Sequence, residues 1–68
     1  MTEIQSLARG LKILDLLAAA EDTVGITEIA EYLGMDKSSI SRVMQTLAVY
    51  GYAEQEASTR RYRLGPQV

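Results

Sequence analysis

Residues 26–47, ITEIAEYLGMDKSSISRVMQTL, decide the fold of this chain. Counting from Ile26, apolar residues recur at the spacing of two short helices packed across a tight turn, namely Ile29, Leu33, Met35, Ile40 and Val43. The small Ala30 stands where the two helices must approach each other, and Gly34 stands at the turn. This combination predicts a helix-turn-helix, in which the second helix is held out from the body of the domain.

The ends of these two helices are marked by capping residues. Thr27 is the predicted N-cap of the first helix, and Gly34 is predicted to end it in the left-handed conformation. Asp36 is predicted either to cap the second helix or to place negative charge in its first turn. This helix spans residues 37–50 and stops at Gly51. The buried face of this helix is predicted from apolar residues at i, i+3, i+4 and i+7, namely Ile40, Val43, Met44 and Leu47.

An earlier helix is predicted with Ser6 as its N-cap and its end near Ala20, followed by a loop over residues 21–25. Spacing of i, i+4 and i+7 predicts a core-facing stripe of Leu7, Leu11, Leu14 and Ala18. Three further apolar residues widen that surface, namely Ile13, Leu16 and Leu17. If so small a core leaves Ile13 or Leu16 partly uncovered, this helix packs against a second copy; burial within one monomer is the equal alternative.

A β-hairpin is predicted downstream of Gly51. Its two strands lie near residues 52–56 and 61–64, and residues 57–60 join them. Together with the three helices this gives a fold that is mainly α with a small β-hairpin. We therefore predict a winged helix-turn-helix (three helices plus wing) that occupies residues 1–65 as one domain.

The second strand of the hairpin has two different faces. Tyr62 and Leu64 share one face, which favours a place in the core for Tyr62 over a role in base stacking. Three arginines concentrate positive charge at the tip and on the other face, namely Arg60, Arg61 and Arg63. A wing of this kind, over residues 56–62, would meet phosphates or enter the minor groove. Arginines that only keep an exposed hairpin soluble are the alternative.

Composition excludes most enzymatic chemistry. The 68 residues include no Cys and no His, which removes disulfides, thiolate metal sites and the commonest general base. Glu54 and Glu56 share one face of a strand, but charge on a solvated edge explains them better than a catalytic pair. With no glycine-rich phosphate loop either, we expect no catalytic residue, no metal site and no cofactor, and hence no enzyme.

The hydropathy pattern predicts no membrane partner. The N-terminus is polar and lacks the basic segment that opens a signal peptide. The longest apolar stretch, residues 13–20, is interrupted by Asp15 and is too short to span a bilayer. Because the absence of Cys gives mild support to a reducing compartment, we expect a soluble, cytoplasmic protein.

Charge is polarised along the chain, although the net charge is only −2. Up to Asp36, two cations stand against seven anions, which gives −5. From Lys37 onward, five cations stand against two anions, which gives +3. Because local potential steers a charged partner, the second half of the chain is the predicted nucleic-acid-binding side.

A polar face without acidic residues runs along the helix predicted over residues 37–50. With Ile40 towards the core and 100° per residue, the side chains opposite are Ser38, Arg42 and Gln45, and those on the flanks are Ser39, Ser41 and Thr46. Arginine can bind guanine through O6 and N7, glutamine can pair with adenine, and serine can donate to a phosphate or a base. This face predicts insertion into the major groove of DNA, and an ordinary solvated helix surface is the alternative.

Five segments resemble the IclR-type transcriptional regulators. Residues 6–14, SLARGLKIL, and residues 26–30, ITEIA, are similar to the opening of that family's N-terminal domain. Residues 34–42, GMDKSSISR, resemble its recognition helix, and residues 50–52, YGY, with residues 61–65, RYRLG, resemble its wing. The resemblance covers nearly the whole chain, in order and with matching gaps.

The resemblance implies the N-terminal DNA-binding domain of a prokaryotic regulator that represses or activates metabolic genes. It implies a homodimer on a pseudo-palindromic double-stranded DNA operator at the nucleoid, for which the C-terminal domain and the apolar face of the first helix are the candidate contacts. A small-molecule effector would be bound only by that larger C-terminal domain, which lies outside this chain, and residues 66–68 would begin the linker to it. The chain would then be a fragment of the regulator; a standalone module without this domain is the alternative. By position in the family's motifs, the expected DNA contacts are Lys37, Ser38, Ser39, Ser41, Arg42, Gln45, Thr46, Arg60 and Arg61.

The wing turn departs from the family pattern. Many members carry a Pro and a Gly there, whereas this chain has Ala57 and Arg60. The resemblance therefore does not fix the geometry of the turn, although the added charge favours phosphate contact.

A winged helix that binds protein instead of DNA is the alternative function. The acidic first half of the chain favours it. The basic outer face of the predicted second helix, backed by a basic hairpin, favours DNA through Arg42, Arg60, Arg61 and Arg63.

Overall fold

Three helices and a two-stranded hairpin follow one another along the chain in the computed structural model, which describes residues 2–68. The elements are α1 (Gln5–Ala19), α2 (Ile26–Leu33), α3 (Lys37–Val49), β1 (Ala53–Gln55) and β2 (Tyr62–Leu64). This order confirms the predicted fold class, mainly α with a small β-hairpin in a winged helix-turn-helix. The two predicted strands exist, and each is shorter than its sequence pattern indicated.

The core is built from one face of each element. Its buried residues are Ile13, Leu17, Val24, Ile29, Ala30, Ile40, Met44, Ala53 and Tyr62. On α3 the predicted inner face is confirmed, because Ile40 and Met44 are fully buried and Val43 and Leu47 pack against the core partly buried. The core place predicted for Tyr62 is also confirmed.

The core-facing stripe predicted for α1 is wrong. Leu7 is 58% exposed and Leu11 is 54% exposed, whereas Ile13 is completely buried and Leu17 nearly so. Ala18 is exposed and Leu14 is only half-buried. This helix carries apolar side chains on more than one side, and its periodicity alone cannot show against which side the other elements pack. The most exposed large apolar side chains of α1 are therefore Leu7 and Leu11; of the two residues predicted to be partly uncovered, Leu16 is half-buried and Ile13 is completely buried.

Two predicted helix caps are also wrong. Helix α1 begins at Gln5 with Ile4 as the N-cap, without a side-chain capping bond, so Ser6 lies inside the first turn. Helix α2 begins at Ile26 after Gly25, so Thr27 does not cap it. The observed N-caps, Ile4 and Gly25, have no side-chain oxygen that could accept a capping bond, so capping preference does not locate the start of either helix.

The turn between α2 and α3 follows the predicted geometry. Gly34 adopts φ 67° and ψ 36°, the left-handed conformation that a glycine takes without the steric cost of a Cβ. The Met35 N–H then donates to the Ala30 carbonyl over 3.0 Å, a bond that closes the end of α2. Helix α3 ends at Val49, one residue before the predicted end, and Gly51 follows with φ 85°.

The hairpin is tied to the helical body by a segment predicted to be only a loop. Strands β1 and β2 pair antiparallel, with Glu54 opposite Arg63. Val24 also bridges to Tyr62, since each backbone N–H donates to the other's carbonyl over 2.7 and 2.8 Å. This long-range pair leaves no local signal in the sequence of the loop, and it fixes one edge of the wing against the body.

The C-terminal residues pack beside the junction between α3 and β1. The Gly65 N–H donates to the Tyr52 carbonyl, and the Gln67 N–H donates to the Gly51 carbonyl, each over 3.0 Å.

None of the helices in the described part, residues 2–68, combines the length and the apolar character needed to cross a membrane.

Candidate nucleic-acid interface

The outer face of α3 points away from the core because its inner face is anchored. Ile40 and Met44 hold the helix against the domain, and Ser38, Arg42 and Gln45 on the opposite side are exposed. Lys37 and Thr46 are exposed as well, whereas Ser39 and Ser41 are half-buried on the flanks. The structure thus places the sequence-predicted residues of α3 on one continuous surface.

Asp36 fixes the start of this helix. Its carboxylate accepts a 2.9 Å bond from the Ser39 backbone N–H and a 2.8 Å bond from the Ser39 hydroxyl. These bonds confirm Asp36 as the predicted cap, and they hold the pKa of its carboxyl below the ordinary value of 3.8, the backbone bond contributing most. Since the Ser39 hydroxyl already donates to Asp36, Ser39 has only its oxygen lone pairs left to offer a ligand.

We expect Asp36→Ala to destabilise the domain, and acid to destabilise the wild type in the same way. The unfolded carboxyl binds a proton more tightly than the folded one, so its stabilising effect is complete above pH 3.8. That effect is lost as the pH falls through the lower, folded-state pKa. Urea unfolding of both proteins between pH 6 and pH 2 measures this, and the difference in stability should shrink towards zero in acid. A difference that stays constant with pH would contradict the capping role.

The polar side chains of the outer face differ in how free they are. The Thr46 hydroxyl donates to the Arg42 carbonyl over 3.0 Å, so it is already engaged within the helix. Within residues 2–68, Lys37 and Arg42 take part in no ion pair. Two cations and the amide of Gln45 are therefore available to a ligand on this surface.

Arg9 is a cation beside this surface that the sequence analysis missed. It lines a shallow groove where the first turns of α1 meet α3, together with Ser39, Arg42 and Thr46. Its Nη2 donates to the Gln5 side-chain oxygen over 3.3 Å. No sequence pattern links Arg9 to Arg42, because only the packing of α1 on α3 brings the two side chains to the same groove.

The tip of the wing closes through backbone bonds on both sides of a tight turn. The Arg60 N–H donates to the Glu56 carbonyl over 2.7 Å, and the Glu56 N–H donates to the Arg61 carbonyl over 2.8 Å. Arg60 adopts φ 63°, a left-handed conformation in which side chains are strained and glycine is not. This chain therefore keeps the backbone conformation that a glycine would favour, and places an exposed cation there.

The other two wing arginines bind carboxylates of the same domain. Arg63 lies 3.1 Å from Glu54 and 3.5 Å from Glu56, and Arg61 lies 2.6 Å from Glu28. The positive charge predicted for the wing is thus partly neutralised. Arg60 is the wing arginine without an ion pair inside residues 2–68.

An open apolar cleft lies between α1 and the end of α3. Its volume is about 690 Å³, and its walls include the exposed Leu7, Leu11 and Tyr52 together with Leu14 and Leu47. We call this the α1–α3 cleft. Most of the lining surface of this cleft is apolar.

The described part of the chain contains no cluster of metal-binding side chains. Among residues 2–68, no three or more side chains of the acidic, His or Cys type lie together in a way that could hold a metal ion.

The fold and this surface define a winged helix-turn-helix of the DNA-binding class. The family model of the IclR helix-turn-helix domain matches residues 6–57, and the chain belongs to this family. The IclR-type regulators that the sequence resembles are thus its relatives.

Individual relatives are transcriptional regulators. The HTH-type transcriptional regulator XynR of Escherichia coli K12 is 38% identical over 65 residues, which cover 96% of this chain and 26% of the relative. The transcriptional repressor IclR of the same strain is 32% identical over 63 residues, covering 93% and 23%. A crystal structure of an IclR transcriptional regulator from Alicyclobacillus acidocaldarius superposes with a TM-score of 0.91 at 34% identity, covering 97% of this chain and 27% of that one. The chain spans about a quarter of the length of these proteins.

Proposed function

We propose that this domain binds double-stranded DNA sequence-specifically, with α3 in the major groove and the wing on phosphates or in the minor groove. It acts by binding and not by chemistry, as the N-terminal domain of a cytoplasmic, nucleoid-associated regulator of metabolic genes. Ser38, Arg42 and Gln45 are the side chains we assign to base edges. Lys37 and Arg60 are assigned to phosphates.

One observation carries this proposal: the outer face of α3 is exposed, lacks carboxylates and presents Arg42 without an ion-pair partner in residues 2–68. Its 13 residues extend about 20 Å at 1.5 Å per residue, a length that can follow the major groove. The remaining predicted contacts have smaller roles, since Ser39 and Thr46 already use their hydroxyl hydrogens within the domain and Ser41 is half-buried.

A homodimer on a pseudo-palindromic operator is the assembly we propose. Two copies would place their α3 helices in successive major grooves about 34 Å apart. The α1–α3 cleft is the surface we assign to the second copy, because Leu7 and Leu11 are exposed on α1 while Ile13 is buried. Sedimentation equilibrium at high concentration tests this contact, and a chain that stays monomeric would refute self-association through this domain alone.

The whole regulator would add an effector-binding domain beyond residue 65. The roughly fourfold greater length of the relatives supports this. A small-molecule effector would act through that domain, with residues 66–68 at the start of the linker.

Fluorescence anisotropy with a randomised DNA duplex over a salt series tests the proposed function. Binding that weakens steeply as salt rises, and weakens further in Arg42→Ala, is the expected result, because phosphate contacts release counterions. A folded protein that does not bind at low salt would refute DNA binding by this domain. That outcome would favour the protein-binding winged helix, for which the apolar α1–α3 cleft is the specific supporting observation.

We expect Arg60→Gly to stabilise the fold and to weaken DNA binding at the same time. Glycine relieves the left-handed strain at φ 63°, which should raise the free energy of unfolding by about 1 kcal/mol. Loss of one phosphate contact should make the plot of log association constant against log salt concentration flatter, by about 0.9 in slope. Arg60→Lys is the matched control, because it keeps the charge and the strain. An unchanged salt slope in Arg60→Gly would show that the wing tip does not touch phosphate.

A further inference from the structure

The side chain of Arg61 lies back against the domain instead of extending from the wing tip. Its Nε donates to the Thr23 hydroxyl over 3.1 Å, and its Nη2 donates to the Thr23 carbonyl over 2.9 Å. The same Nη2 lies 2.6 Å from a carboxylate oxygen of Glu28. One guanidinium thus binds two separate parts of the helical body.

These parts are the link between α1 and α2, bound through Thr23, and the first turn of α2, bound through Glu28. Glu28 stands in the first turn of α2, where its carboxylate also accepts a 3.1 Å bond from the Gly25 N–H. A Cβ at residue 25 would lie only 3.1 Å from Arg61 Nη1, so glycine gives the guanidinium room to reach Glu28. Next along the chain, Val24 forms its backbone bridge to Tyr62. Side-chain and backbone bonds therefore join the start of β2 to the start of α2 and to the link before it.

We propose that Arg61 is a positioning residue, which fixes the wing relative to the helix-turn-helix through Glu28 and Thr23 and does not contact DNA phosphate. This inference rests on the proposed function and reassigns one of its expected contacts. We call Arg61 with Glu28 and Thr23 the Arg61 brace.

Thr23 and Glu28 already bind Arg61 and would compete with a DNA phosphate for its guanidinium. A phosphate bound by Arg61 would have to share a guanidinium whose Nε and Nη2 already donate to Thr23. It would also approach the carboxylate of Glu28, which repels it. The neighbouring Arg60 has neither constraint within residues 2–68. The brace thus holds the wing so that Arg60 meets the DNA.

The two roles predict opposite effects for Glu28→Gln. If Arg61 contacted phosphate, removing the carboxylate would free the guanidinium and remove a repulsion, and DNA affinity would rise. If Arg61 is part of the brace, the wing loosens and affinity falls, although the protein has lost a negative charge. Glutamine keeps an oxygen to accept the Gly25 N–H, so the start of α2 is disturbed little.

The experiment measures anisotropy with the randomised duplex over a salt series, at a temperature where circular dichroism shows every variant folded. We expect Glu28→Gln to weaken binding roughly three- to fivefold, the range set by a half-exposed ion pair, and to flatten the salt dependence, because the displaced wing withdraws Arg60 from phosphate. Glu31→Gln is the matched control, because it removes the same charge from an exposed position on α2 without a side-chain bond in residues 2–68. Its affinity should stay equal or rise slightly.

Two further variants separate positioning from contact. Arg61→Lys keeps the positive charge but loses the planar guanidinium that binds Thr23 and Glu28 together. If Arg61 positions the wing, this variant should bind DNA more weakly than the wild type. If Arg61 contacts phosphate, it should bind nearly as well as the wild type. In the Glu28→Gln background, Arg60→Gly should cost less affinity than it does alone, because the displaced wing no longer brings Arg60 to the DNA.

The outcomes distinguish this inference from the proposed function. A folded wild type that does not bind DNA overturns both. A wild type that binds, with Glu28→Gln equal to or tighter than Glu31→Gln, overturns the Arg61 brace and leaves the proposed function standing.

Discussion

Ile13→Ala is expected to lower the free energy of unfolding by about 2–5 kcal/mol, the cost of removing a buried aliphatic side chain and leaving a cavity. Ile13 is completely buried in the core, and a domain of this length has little stability to spare. Urea unfolding followed by circular dichroism measures the change. We expect most of the native population to be lost at moderate temperature.

Leu11→Ala is the matched control for this loss. It removes a similar aliphatic group from the same helix, but Leu11 is 54% exposed and lines the α1–α3 cleft. Its cost in a dilute, monomeric sample should stay within about 1 kcal/mol. Equal losses for Leu11→Ala and Ile13→Ala would contradict the orientation of α1 and would restore the stripe that the sequence pattern predicts.

Arg42→Ala is expected to weaken binding to a duplex selected from the randomised pool for tight binding, by about 1–3 kcal/mol, if the Arg42 guanidinium binds a guanine. It should also relax the preference at one base pair, because the bidentate contact to O6 and N7 is lost. Anisotropy with the selected duplex and its three variants at each position measures both effects. Arg42→Lys keeps the charge and separates the base contact from simple attraction.

The pattern of loss identifies what Arg42 touches. Weakening that is equal on every duplex, with a flatter salt slope, would assign Arg42 to phosphate instead of to a base. Unchanged affinity on all duplexes would remove Arg42 from the interface.

The helix-turn-helix was predictable because its signals are local. The Asp36 cap, the i, i+3, i+4 and i+7 spacing of the buried face and the left-handed Gly34 each depend on a few adjacent residues. They agree with one another, and consistency across such levels is what makes a segment readable from sequence. The exposed position of Arg42 follows from the buried position of Ile40 on the same helix.

Apart from the N-caps of α1 and α2, the features that the sequence did not reveal depend on distant parts of the chain. The inner face of α1 is chosen by the elements packed on Ile13, and Val24 pairs with a strand almost forty residues later. Arg61 stands in a basic cluster in the sequence, yet in the structure it binds Glu28. Charge counted along a chain cannot show which cations already have carboxylate partners, so the wing was predicted to be more positive than it is.

A backbone amide NMR titration with the selected duplex shows whether DNA binds the outer face of α3 and the wing tip. We expect signals of residues 37–46 and 57–60 to shift on binding, while those around Leu7 and Leu11 do not shift when the duplex carries a single half-site and therefore binds one copy. Shifts confined to the α1–α3 cleft, or no shifts at all from the folded protein, would contradict this mode of binding.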